Sequence, residues 1–554
     1  MSAVLASEPA RTVWTAVAGG VGFPVPRIEY GQLAPLLIVL GSAVAGILAE
    51  AFLPRRSRHR AQVSIAVLGL AAALGTVIAL FVDGRYATDT AEPAGMGAVA
   101  VDGPTLFLQG VILMTSMAAV LAFAERRLEP RGADDSPVGA FAPQPAAVPG
   151  SEAEKAAARA GFATTEVFPL TMVAVGGMLL FPAAADLLTM FVALEVFSLP
   201  LYLLCALARR RRLLSQEAAL KYFLLGAFAS GFFLFGTALV YGYAGTVSLG
   251  GISDAITDRS AVGPALGGST ANNTVLLTGL AMLGVGLLFK IGAVPFHSWT
   301  PDVYQGAPTP VTGFMAATTK VAAFGALLRL LYVAFPDLQW DYWRPVLSGV
   351  AALTMITGAV LAVSQTDVKR LLAHSSIAHA GFLLMGVLSA GKAGASSVLF
   401  YLAAYSFVTI GAFALVTLVR DAGGEVTRLT DWAGLGRRSP LMATVFALFL
   451  LAFAGIPLTS GFAGKFAVFQ AALMGGEVPL VIVGVLSSVV AAFAYVRIIV
   501  LMFFSEPQPG GPSVAVPSAL TTVSIGFGVL ATLTPGLIPQ YFLDLADVAS
   551  TFVA

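Results

Sequence analysis

Residues 440–474 read PLMATVFALFLLAFAGIPLTSGFAGKFAVFQAALM, a run of 35 residues. At 1.5 Å per residue a straight helix of this length would reach roughly 50 Å, far beyond the roughly 30 Å hydrocarbon core of a bilayer. The run must bend, break or protrude. Gly455, Pro457, Gly461 and Gly464 supply a break, because proline removes a backbone hydrogen bond and glycine weakens the helix around it. A break there folds Lys465 back into the apolar layer. Backbone this irregular survives at membrane depth only where protein buries it or where it lines a water-filled cavity.

Working outward, a second stretch behaves alike: FKIGAVPFHSWTPDVYQGAPTP, residues 289–310, carries Pro295, Pro301, Pro308 and Pro310 directly after Lys290. Around these two lie further apolar runs, and 57% hydrophobic against 11% charged residues, with a mean hydropathy of +0.86, excludes a soluble globular class. The expected fold is an all-α polytopic membrane protein. Fourteen runs are long enough to span, at about 33–53, 61–82, 104–124, 166–182, 185–208, 217–244, 274–296, 311–335, 346–364, 371–389, 396–419, 440–474, 479–504 and 516–537.

The connections alternate in charge. One set holds Arg55, Arg56, Arg58, Arg60, Arg126, Arg127, Arg131, Lys155, Arg159, Arg209 to Arg212, Lys369, Arg370, Arg420, Arg428, Arg437 and Arg438; the other holds Arg85, Arg259, Arg344 and Lys392. The basic excess marks the cytoplasmic side, which places both termini outside, as an even number of spans requires. Residues 1–32 then form an extracytoplasmic segment without the basic start of a cleavable signal, and 33–554 one transmembrane domain. Residues 125–160, rich in Ala, Pro, Gly and charge, read as a flexible cytoplasmic loop, with docking the less favoured reading. The two broken runs cross in opposite directions, and each is the fourth span of a five-span block. This is the pattern of an inverted repeat, repeat 1 at about 166–335 and repeat 2 at about 346–504. Their registers are offset, Lys290 preceding its proline and Lys465 following Pro457.

Five ionisable residues sit inside apolar runs: Glu195, Lys221, Lys290, Lys320 and Lys465. A charge at the centre of a membrane helix costs roughly 2.5–3.5 kcal/mol on the insertion scale, which makes each a functional candidate. Glu195 and Lys320 lie too deep to snorkel easily; Lys221, four residues into its run, either snorkels to the surface or acts in the site. Arg329 and Arg497, nearer run ends, read as anchors, and His59 as part of a solvated basic loop. His374 reads as a structural hydrogen-bonding group, while His297 and His379 are open between relay and helix-break partner. A single cysteine, Cys205, excludes an internal disulfide and a cysteine-ligated cluster. GVGLLF at Gly284 lacks the third glycine of a dinucleotide fingerprint, and a net charge of +1 gives no nucleic-acid patch.

LEVFSLPLYLL at 194–204, EAALKYFLLGAFASGFFLFGTALVYG at 217–242, PFHSWTPDVYQGAPTPVTGF at 295–314, KRLLAHSSIAHAGF at 369–382 and GIPLTSGFAGKF at 455–466 resemble the antiporter-like membrane subunits of respiratory complex I, NADH-quinone oxidoreductase. The resemblance spans about 33–537 and is closest to the subunit N branch: no long lateral helix follows the last span, and position 465 is lysine where subunit M carries glutamate. His374 departs from the tyrosine more common in the motif. The resemblance implies that Glu195 pairs with Lys221, that Lys290 is the central proton carrier, that Lys320 links it across, that Lys465 leads outside, and that His297 and His379 relay. It also implies a cell inner (plasma) membrane location, and NADH, FMN, iron–sulfur clusters and quinone held in partner subunits. Those partners are the antiporter-like subunits M and L, the small subunits K and J, and a hydrophilic NADH-oxidising arm. The expected function is proton translocation driven by quinone reduction; a subunit of a multisubunit cation/proton antiporter is the alternative, and a structural subunit that keeps the fold without pumping is a third.

Overall fold

The computed structural model describes residues 28–84, 93–126, 128, 139–144, 147–148, 151–159, 164–257, 273–421, 424–507 and 511–553. Among them the long helices are α1 (Tyr30–Phe52), α2 (Arg55–Asp83), α3 (Gly103–Phe123), α4 (Val167–Leu180), α5 (Leu187–Cys205), α6 (Arg212–Ala244) and α7 (Asn273–Ile291). After a break comes α8 (Trp299–Gly306), then α9 (Thr309–Ala334), α10 (Arg344–Ser364), α11 (Val368–Leu388) and α12 (Gly391–Val416). The chain continues as α13 (Pro440–Ala454), α14 (Ser460–Met474), α15 (Val478–Phe504), α16 (Ala519–Leu537) and the short α17 (Pro539–Val548). Every expected span falls on helix, and the 440–474 run is broken into α13 and α14. All-α polytopic architecture is thus the observed class.

The helices α9 and α11 are buried along their whole apolar length, while α1 and α2 bury less than a third of theirs. The former are therefore the centre and the latter lie against lipid or neighbours. Helix α9 is not regular: a π-helical turn at Met315–Thr319 immediately precedes Lys320, and another covers Leu330–Ala334. Such turns recur at functional sites because they re-aim the side chains that follow.

Contacts between connections sort them into two sets. On one face Phe141 bridges Ala208 and Asp367 bridges Arg428, Thr309 donates to Glu425 at 2.6 Å, and the Ser518 amide donates to Glu125 at 2.7 Å. A small antiparallel sheet there pairs β1 (Val419–Asp421) with both β2 (Gly424–Glu425) and β3 (Ser513–Val514). On the other face Val99 bridges Ala184 and Asp186 bridges Ser248, Thr257 donates to Asp337 at 2.6 Å, and Arg344 pairs with Glu477 at 2.8 Å. Near the described ends, the Gly95 amide meets Glu29 at 3.0 Å and the Val553 amide meets Asp102 at 3.0 Å, both on this second face. Two ends on one face agree with an even number of crossings. Arg329, the expected anchor, is buried in a two-oxygen pair with Asp102 at 2.6 and 2.7 Å, and Arg497 donates to the carbonyl of Val363 at 3.0 Å.

Several expectations need correction. The connections 54–60, 209–216 and 365–370 are shorter than the hydropathy suggests, since α2, α6 and α11 already begin at Arg55, Arg212 and Val368. Arginine stems let a helix continue past the apolar core. His59 therefore lies on α2, not in a solvated loop, with its ring 5.8 Å from that of Phe168. Within 125–160 the described residues are not all loose: the Ala142 amide donates to Leu207 and the Arg209 amide to Ala140, both at 2.9 Å, and Phe141 packs edge-on to Phe123 at 5.5 Å. Residues 1–27, Arg85, Arg127, Arg131 and Arg259 lie outside the described residues.

In a chain with Cys205 replaced, single cysteines at Arg437 and Ser513 are expected to react with an impermeant maleimide from one face, and cysteines at Asp337 and Asp547 from the other. Labelling of all four from one side of sealed vesicles would contradict the two-face arrangement.

Candidate functional site

The site begins where α13 stops. Gly455 holds a left-handed backbone, φ 82°, which ends the helix and leaves its last carbonyls without intrahelical donors. Helix α14 restarts under the Thr459 cap, which accepts from the Phe462 amide at 3.4 Å. Lys465, one turn into α14 and only 5% exposed, reaches back: its Nζ donates to the carbonyls of Phe453 at 2.9 Å and Ala454 at 3.0 Å and to Ser488 Oγ at 2.9 Å. Three ammonium donors thus meet three neutral acceptors, two of them at the negative end of a helix. The Phe382 ring faces the same nitrogen at 5.0 Å.

The first broken span repeats the device with different partners. Helix α7 ends at Gly292, again left-handed with φ 76°, and Lys290 sits in its last turn, 3% exposed. Its Nζ donates to Ser198 Oγ at 2.7 Å and lies 3.4 Å from Tyr202 Oη, among the rings of Phe197, Tyr202 and Tyr222 at 5.2–5.3 Å. Glu195, one turn before Ser198 on α5, interacts electrostatically with this lysine, and its Oε1 is buried with no hydrogen-bond partner among the described residues.

Glu195 does not pair with Lys221. Lys221 projects from the outer face of α6, its side chain 44% exposed, and pairs with Glu217 at 2.8 Å and Asp302 at 3.0 Å. Asp302 also holds Arg370 at 2.7 Å. The rotation of α6 decides this: Tyr222, the next residue, faces inward to Lys290 and stacks on Trp299 at 4.6 Å, so Lys221 points away.

Lys320 follows the π turn of α9, is 2% exposed, donates to the Ser376 carbonyl of α11 and faces the Tyr405 ring at 5.5 Å. His379, one turn beyond Ser376, has Nδ1 2.5 Å from Tyr401 Oη and its ring 5.0 Å from Tyr405 and 5.6 Å from Phe453. It interacts electrostatically with both Lys320 and Lys465, so it neighbours each of them. His297 lies in the α7–α8 break and interacts electrostatically with His374. The Nδ1 of each is buried without a partner among the described residues, so the hydrogen bond expected of His374 is not found at that atom.

The structure therefore gathers Glu195 with Lys290, and Lys320 with His379 and Lys465, and sets Lys221 apart with Asp302 and Arg370. Tyr401, Tyr405, Ser198, Ser376 and Asp302 were not legible as site residues, because hydroxyls and a carboxylate beside prolines carry no mark of burial in sequence. Among the described residues no group of three or more His, Cys, Asp or Glu gathers as metal ligands do.

A helical membrane protein with two interrupted spans and a row of buried lysines belongs to the class of membrane ion translocators. The family model described as NADH:quinone oxidoreductase/Mrp antiporter, TM, matches residues 184–491, and the chain belongs to that family. It is 63% identical to NADH-quinone oxidoreductase subunit N 3 of Streptomyces griseus over 557 residues, 99% of this chain and 100% of the relative. A chain of respiratory complex I from Thermus thermophilus with bound aureothin is 32% identical, with a TM-score of 0.71 over 93% of this chain and 99% of its own length. A chain of the Mrp complex from Dietzia, 22% identical, shares the fold with a TM-score of 0.74 over 94% of this chain and 97% of its own length.

A methyl group on Gly455 would come within 2.9 Å of Lys465 Cδ, and a left-handed backbone costs a non-glycine residue about 1–2 kcal/mol. Gly455→Ala is expected to lower unfolding stability by about that much, whereas Gly349→Ala, inside a regular helix with open space around its Cβ, raises it by about 0.5–1 kcal/mol. Equal unfolding midpoints for the two variants would show that the break does not depend on this glycine.

Proposed function

We propose that the chain is the subunit N-type proton-translocating membrane subunit of NADH-quinone oxidoreductase, coupling NADH-to-quinone electron transfer in partner subunits to proton movement across the membrane. The observation that carries this reading is the row of three lysines, each at most 5% exposed and none within ion-pair distance of a carboxylate among the described residues. An ammonium held by carbonyls, hydroxyls and ring faces stays neutralisable, because no carboxylate at contact distance fixes its charged form.

The proton route we infer runs from the exposed Glu217–Lys221–Asp302 cluster toward Lys290, whose charge Glu195 adjusts, across to Lys320, through His379 to Lys465, and out near Ser488. His297, in the first break, relays toward Lys290. Binding or loss of a proton at one station alters the field at the next, since His379 interacts with both neighbours. Repeats 166–335 and 346–504 are proposed as inverted halves; the shared device of a left-handed glycine ending the first half-helix, at Gly292 and Gly455, supports them. The basic excess supports a cytoplasmic face carrying the β1–β2–β3 sheet, with both termini outside, in the plasma membrane. NADH, FMN, iron–sulfur clusters and quinone are assigned to partner subunits, with the antiporter-like subunits M and L and the small subunits K and J as membrane neighbours. The Mrp-type antiporter alternative rests on a shared fold at 22% identity and is the weaker reading beside a 63% identical subunit N relative.

Lys290→Met and Lys320→Met keep much of the apolar stem and remove the proton-binding nitrogen; the corresponding arginine variants keep the charge but hold their proton permanently. Both kinds of substitution are expected to lower NADH-driven acidification of vesicles while the subunit still assembles. Full pumping in both arginine variants would take these lysines out of the proton path.

A further inference from the structure

Lys369 is a fourth buried lysine, and the sequence disguises it. It is the second residue of α11, beside Arg370, in a place where paired basic residues ordinarily mark a cytoplasmic helix end. Arg370 behaves that way, partly exposed and paired with Asp302 and Gln305. Lys369 does not: its side chain is 1% exposed. Strand β2 brings Glu425 from the far connection to within 3.9 Å of its Nζ.

Its surroundings are sparse for a structural lysine. Among the described residues Nζ makes one hydrogen bond, to the carbonyl of Ala307 at 2.6 Å, at the C-terminal end of α8, where a cation is favoured. The Glu425 contact is too long for a hydrogen bond and fits either one bridging water or one rotamer step. Glu425 is the only part of this pair with access to solvent, at 20% exposure. It accepts from Thr309 Oγ1 at 2.6 Å and lies 3.8 Å from Arg420. Inward, the buried Cys205 interacts electrostatically with both Lys369 and Lys290, so the two lysines share one neighbouring side chain. Asp367 and Arg211 complete the charged groups acting on Lys369.

We propose that Glu425 and Lys369 form a second proton-uptake station on the sheet-bearing face, feeding the Lys290 end of the buried row independently of the Lys221–Asp302 cluster. In the step, a protonated Glu425 carboxyl gives its proton, directly or through one water, to a neutral Lys369 amine, leaving a carboxylate and an ammonium. Lys369 regains its neutral form when it passes that proton inward. The first break and the hairpin thereby serve the same lysine, because α8 ends where Lys369 needs an acceptor and the hairpin supplies the carboxylate. This inference rests on the proton-translocating reading of the chain.

The test uses the assembled complex in sealed vesicles, with subunit abundance confirmed for each variant and Lys290→Met as the benchmark. Lys369→Met, Lys369→Arg and Glu425→Gln are each expected to lower protons moved per NADH oxidised, with arginine no better than methionine. A lysine that only neutralises the hairpin gives the opposite ranking, arginine near normal and methionine poorly assembled, and that result overturns the proposal. So does normal coupling in Glu425→Gln, a variant that keeps side-chain shape and removes only the titratable group. If Lys290→Met itself pumps normally, the translocation reading fails and takes this proposal with it; if only Lys290→Met is impaired, the uptake station alone is wrong.

Discussion

Keeping an ammonium out of water is the constraint around which the centre of this protein is arranged. Lys290, Lys320 and Lys465 are at most 5% exposed, and an unpaired buried charge is far more costly than a buried neutral amine. The fold does not relieve that cost with carboxylates at contact distance. It offers neutral oxygens and aromatic faces: Ser198 and three rings for Lys290, the Ser376 carbonyl and Tyr405 for Lys320, and two helix-end carbonyls with Ser488 for Lys465. A salt bridge would fix the charged form; these partners accommodate it without fixing it.

The broken helices follow from the same constraint. Interior carbonyls of an intact helix already accept within the helix, whereas a helix end leaves carbonyls with no intrahelical donor. Stopping α13 at Gly455 releases the carbonyls that Lys465 uses, and the left-handed glycine makes the stop tight enough for α14 to restart five residues later. Stopping α7 at Gly292 leaves the ring of Trp299 to donate to the Phe289 carbonyl at 2.9 Å, so that Lys290 turns to the hydroxyls of α5 instead. One backbone device therefore yields two different lysine environments. The offset between Lys290 before its break and Lys465 after its own persists at the nitrogens, since Lys465 returns to the freed carbonyls and Lys290 turns to α5.

Much of this was legible along the chain. A charge inside an apolar run is costly wherever it falls, so Glu195, Lys290, Lys320 and Lys465 stand out without any knowledge of their neighbours, and the 35-residue run with its Gly–Pro interruption foretells α13 and α14. What was not legible depends on rotation and on long-range closure. Whether Lys221 or Tyr222 faces inward is a matter of one residue on α6, and it decides that Lys221 meets Glu217 and Asp302 while Glu195 neighbours Lys290. Lys369 reads as a topology signal because Glu425, the carboxylate that approaches it, lies far along the chain, beyond the whole of α12. His59 looked solvated because hydropathy cannot tell a basic first turn of helix from a loop.

The central claim is that the buried lysines change protonation during turnover. Infrared difference spectroscopy of the assembled complex, with heavy-nitrogen lysine in this subunit and NADH added to start turnover, reports this directly. The account predicts isotope-shifted ammonium bands that appear or vanish with NADH and that diminish when Lys320 is replaced by methionine. Lysine bands unchanged between resting and turning-over complex, while protons are still being pumped, would contradict it.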